Sequence, residues 1–119
     1  MSNWKQGYKV VRCRGETLLS VAVTFMPVIY KLDQMAFRRI GWGPLAVFES
    51  IEATKAFLEC KAYSALDRIY RCDYLPSWDR VLKLYDDRWH SCKPGILEES
   101  NCPDGTDFAN AVILRERIV

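Results

Sequence analysis

Two runs of β-forming residues, YKVVRCR at 8–14 and TLLSVAVTF at 17–25, are separated by little more than Arg14-Gly15-Glu16. That closeness constrains the fold more than any other feature. A glycine in such a link takes positive φ without steric cost, so a tight hairpin is expected. In the second run Leu19, Val21, Val23 and Phe25 alternate with Leu18, Ser20, Ala22 and Thr24. The first set is larger and more apolar, so it is expected to face the core.

Pro27 interrupts this pattern. Residues 28–40, VIYKLDQMAFRRI, carry Ile29, Leu32, Met35, Ala36 and Ile40 at helical spacing, but no capping residue precedes them. A loop or a short helix is expected there. GWGPLAVFES at 41–50 then poses a choice between a ligand-holding glycine loop and a bend before a strand. Phosphate loops run strand, glycines, helix, so that amides and a helix N-terminus converge on the anion. Here the glycines precede the apolar strand Leu45 to Phe48, which favours the bend. Ser50 is placed to cap a helix from Ile51 to about Cys60, with Glu52 in its first turn. Ala53, Ala56, Phe57 and Cys60 form its apolar stripe.

Residues 67–74, DRIYRCDY, read as another strand, with Tyr70, Cys72 and Tyr74 on one face. Ser77 follows Pro76, and Trp78, Val81, Leu82 and Tyr85 recur at helical spacing. A second helix over 78–86 is expected. Residues 87–106 hold Pro94, Gly95, Pro103 and Gly105 and read as a long irregular segment. The chain closes on an alternating strand around Val112 and Leu114. The order implies a single α+β domain over 1–119, with a mostly antiparallel sheet of about five strands and two helices on one face. A crossover from 45–48 through the helix to 67–74 would make the sheet mixed.

Composition bears mainly on function. The 119 residues are 50% hydrophobic and 27% charged, which suits a globular domain. A net charge of +2 is too small for non-specific phosphate binding, so nucleic acid is not the expected partner. The weakly polar run 18–30 is broken by Ser20, Thr24 and Pro27. It falls short of the roughly 20 apolar residues a membrane span needs, so no membrane partner is expected. MSNWKQGYKV has no apolar core of the kind a signal peptide carries, and the cytosol is the expected compartment. The five cysteines are then expected as free thiols, although Cys92 and Cys102 flank a loop and can pair under oxidation.

His90 is the single histidine, which removes every site built on two. His90, Cys92, Cys102 and Asp104 match no zinc spacing. No thiol is marked as activated, and Asp86-Asp87 and Glu98-Glu99 read as solvated charge. No metal, cofactor or catalytic residue is expected. Aromatic side chains exceed what a small core requires. Trp42 and Trp89, with Arg38 and Arg39, are of the types favoured at protein interfaces.

GPLAVFES at 43–50, followed by Ala53, Ala56 and Phe57, resembles a unit of short microbial and phage proteins with no assigned activity. CPDGTDFA at 102–109, followed by Val112, is similar to their closing segment. The strand-then-helix element also resembles that of ADP-ribosyltransferase-like folds, which implies a nucleotide-binding transferase. The early histidine of those enzymes has no counterpart in this chain.

The expected function is binding without catalysis, to another protein or to a second copy, through aromatic and arginine side chains near Trp42 and in the 87–106 loop. The alternative is a small-molecule or nucleotide-binding protein, with Tyr30, Arg38, Arg39 and Trp42 lining a pocket between the sheet and 28–44.

Overall fold

The computed structural model describes residues 3–20, 28–38, 44–60, 67–78, 81–84, 95–98 and 104–118. In chain order they form β1 (Lys5–Arg14), β2 (Thr17–Ser20), β3 (Ile29–Tyr30), β4 (Met35–Phe37) and β5 (Leu45–Phe48). Next come α1 (Ile51–Cys60), β6 (Asp67–Pro76), β7 (Val81–Leu84), β8 (Gly95–Glu98) and β9 (Thr106–Arg117).

Two residues show how the sheet closes. Tyr8 of β1 lies opposite Phe48 of β5 and also opposite Arg71 of β6. Ala109 of β9 lies opposite Leu45 of β5 and Pro76 of β6. Each of β1 and β9 therefore has β5 on one edge and β6 on the other, and β1, β6, β9 and β5 form a closed ring. Closure removes the exposed edges that an open sheet would present along these strands. Beyond β5, the same edge of β1 is taken by β2, and β2 by β3. The corresponding edge of β9 is taken by β4.

Alternation then sorts the side chains. Val11, Cys72, Tyr74, Val112 and Leu114 point into the ring with Leu45 and Val47, and Tyr30 and Ala36 close the same cluster. Val10, Phe48 and Ile69 point outward and are covered by Ala53, Phe57 and Leu58 of α1. The Phe48 and Phe57 rings meet at 4.9 Å between centroids. Ser50 caps the helix as expected, its Oγ accepting the Ala53 amide at 3.1 Å. The β1–β2 hairpin turns at Gly15, with φ of 61°.

The architecture is mostly β, which corrects the expected α+β fold with two helices. Val81–Leu84 lies in the span read as a second helix, but it is a strand paired with Gly95–Glu98. That partner strand also occupies part of the segment read as irregular. A run of apolar residues this short fits either period, and the hairpin ladder satisfies its backbone as a strand. The 28–38 stretch holds two short strands joined by a turn, not a helix, with Gln34 donating its amide to the Lys31 carbonyl at 3.1 Å. The mixed sheet is corrected as well, because every pairing among the described residues is antiparallel. β5 and β6 do run the same way, but β1 lies between them. In β2 the core-facing parity is reversed. Leu18 lies opposite the buried Tyr30 and packs on the inner cluster, while Leu19 lies opposite the exposed Ile29.

Candidate functional site

Two places stand out, one inside the ring and one outside it. The interior of a small barrel is normally filled with apolar side chains. Here β1 sends Lys9 inward, two residues from Val11, and Lys9 is only 6% exposed. Its Nζ donates to the Ala46 carbonyl of β5 at 2.8 Å and stands 5.7 Å above the centre of the Tyr30 ring. Cys72 is fully buried on the neighbouring strand. Tyr74 donates its hydroxyl hydrogen to Asp107 at 2.8 Å, and Asp107 also accepts the Phe108 amide at 2.8 Å.

Burial sets the protonation of this group. It pulls the Lys9 ammonium down to about 8, against a smaller opposing effect of the Cys72 thiol. It pushes Cys72 up to about 12, partly offset by Lys9. The Tyr74 phenol is raised first by burial and then by its bond to Asp107. Cys72 is therefore a protonated, inert thiol at neutral pH rather than a nucleophile. Among the described residues, no three histidine, cysteine, aspartate or glutamate side chains converge in a way that could hold a metal ion.

The outer place is a run of nine residues. Ile29, Leu32, Met35 and Phe37 are 55%, 51%, 46% and 60% exposed. Met35 and Phe37 alternate with the inward Ala36, so β4 offers its apolar side to solvent. Arg38 follows, and its Nη1 donates to Ser77 Oγ and to Asn110 Oδ1, both at 3.2 Å. Trp78, which follows Ser77 in the chain, is 84% exposed. The rim carries both signs. Arg115 bonds Asp33 at 3.0 Å and Asp73 at 2.9 Å, and Lys31 lies in the turn. Asp33 holds that turn at φ of 60° and donates its amide to the Leu114 carbonyl at 2.8 Å.

The residues named from sequence divide between these places. Tyr30 is a core residue beneath Lys9. Arg38 is tied to Ser77 and Asn110 beside the outer apolar run. Arg39, Trp42 and Trp89 lie outside the described residues, as do His90 and the Cys92 and Cys102 pair. Lys9 was not among the named residues, since a lysine in a strand ordinarily marks a solvated face. Its signal was parity with Val11. Met35 and Phe37 went unnamed because helical spacing placed Met35 on a buried stripe.

No family model, curated protein or solved structure matches the chain. Among the described residues no helix is long and apolar enough to cross a membrane.

Proposed function

We propose that this chain is a binding module that associates with a second copy of itself through the apolar run from Ile29 to Phe37. The observation that carries this reading is the exposure of four large apolar side chains within nine residues. Contiguous exposed apolar surface on a small domain marks an interaction site more often than a random scatter. The rim favours a second copy as the occupant. An isologous contact must be complementary to itself, and this rim sets Lys31 and Arg115 beside Asp33 and Asp73. Arg38 and Trp78 are of the residue types enriched at interface centres. Cytosolic residence belongs to the same reading, supported by the free thiols Cys13 and Cys72. The native mass of the wild type and of a Met35→Asp/Phe37→Asp variant tests it. A dimeric wild type and a monomeric, folded variant are expected. A wild type that stays monomeric at high concentration contradicts it.

A second reading, small-molecule or nucleotide binding, is favoured by one observation. The ring interior holds Lys9, Tyr30, Cys72, Tyr74 and Asp107, where apolar filling would be more stable. Saturable quenching of tryptophan fluorescence by a micromolar nucleotide would move this reading ahead of the first.

A further inference from the structure

The four sides of the ring are unequal. β1 and β6 register from Lys5↔Tyr74 to Arg12↔Asp67, and β6 and β9 from Tyr70↔Arg117 to Pro76↔Ala109. β5 and β9 register over the whole of β5. The β1–β5 side rests on the single pair Tyr8↔Phe48. Two further features supplement it. Gly7 lets the Phe48 carbonyl approach to within 2.6 Å of where a Cβ would stand. Lys9 reaches from β1 to the Ala46 carbonyl of β5. The β6–β9 side is also crossed by a buried side-chain bond, Tyr74 to Asp107, but it has a long ladder beside it, whereas the seam has a single pair and Lys9.

We propose that the ring opens along the β1–β5 seam and that the charge on Lys9 governs the opening. With the ring closed, the ammonium has one carbonyl and the face of Tyr30 in place of water. With it open, the ammonium is solvated. The charged form therefore favours the open ring and the neutral amine the closed one. The titratable groups around Lys9 do not replace the lost water. Tyr30 faces it from β3, Tyr70 lies opposite it on β6, and Cys72 and Tyr74, whose protons burial holds, come from the same strand. Asp107 of β9 is engaged by Tyr74 and the Phe108 amide. β5 contributes no charged side chain. Opening would expose Tyr30, Cys72 and Tyr74 to small molecules. The proposal does not depend on self-association.

Amide hydrogen exchange, corrected for intrinsic rates, tests it on the full chain. The amides of Tyr8 and Phe48, the pair that joins the two strands, report the seam, and those of Val112 and Leu114 report the rest of the ring. With the Lys9 ammonium lowered from 10.5 to about 8 in the closed state, the seam opening constant should fall about tenfold from pH 6.5 to 9. The Val112 and Leu114 amides should exchange through a separate, rarer opening of the whole ring, which solvates Lys9 as well and so carries the same pH dependence at a much smaller opening constant. A folded Lys9→Met variant should lose the pH dependence. Two results on the wild type alone would overturn the proposal: seam amides with the same opening constant as Val112 and Leu114, or a seam opening constant indifferent to pH.

Discussion

Tyr74 and Asp107 meet across the inside of the ring, the phenol donating to the carboxylate at 2.8 Å with both side chains buried. The bond ties the C-terminal part of β6 to the start of β9, well away from the strands' own register, where Tyr74 lies opposite Val112. Tyr74→Phe removes that donor and keeps the ring. It is expected to cost about 1–3 kcal/mol, because a buried carboxylate loses a partner that water cannot replace. Urea unfolding with an unchanged slope checks it. In the wild type the Tyr74 phenol should resist ionisation above the ordinary tyrosine range, visible in the absorbance titration.

Gly7 is required for contact rather than for conformation. A Cβ there would lie 2.6 Å from the Phe48 carbonyl and 2.9 Å from Tyr74 Cε1. The first neighbour is backbone and the second is a fully packed ring. Gly7→Ala should therefore destabilise by about 1–3 kcal/mol, the usual cost of overpacking. Thermal unfolding would show it, with the β1–β5 amides losing protection first.

The helix is held to the ring chiefly by Phe57 against Phe48, Val10 and Ile69. Phe57→Ala is expected to cost about 3–5 kcal/mol. Far-ultraviolet circular dichroism should show helix loss at denaturant concentrations where the strand signal persists.

Stability should follow an unusual pH course. Lys9 is lowered on folding, so between about pH 8 and 10.5 the unfolded chain binds more protons and stability rises with pH. Cys72 is raised, so its contribution is complete below pH 9 and is lost between 9 and about 12. Tyr74, also raised, adds a loss above its ordinary value of 10. The wild type should gain stability from pH 8 to 9 and lose it above roughly 10.5. Lys9→Met should lack the gain, which chemical denaturation at stepped pH will read.

Local signals in the chain were easy to read where one element decided its own structure. Gly15 between two β-rich runs gave the hairpin, and Ser50 before Ala53 and Phe57 gave the helix. Tyr70, Cys72 and Tyr74 were rightly set on one face. Ring closure was not legible, because it depends on β5 pairing with both β1 and β9 across long separations. Val81 and Leu82 fitted a helical stripe and a strand equally, and only the partner at Gly95–Glu98 decided between them. Leu18 faces inward, opposite Tyr30, whereas the larger and more apolar set of Leu19, Val21, Val23 and Phe25 points to Leu19. Of the binding residues, Tyr30 and Arg38 were named, but one is sealed in the core and the other braces Ser77. The burial of Lys9 is not legible in the sequence, because it follows from the closure itself.

The most direct test of the association reading is the oxidation rate of Met35, the half-exposed thioether at the centre of the apolar run. Peroxide footprinting followed by peptide mass spectrometry measures it against protein concentration. The account predicts that Met35 oxidises nearly as fast as free methionine in dilute protein and slows markedly as concentration rises. A rate that stays the same across that range would contradict it.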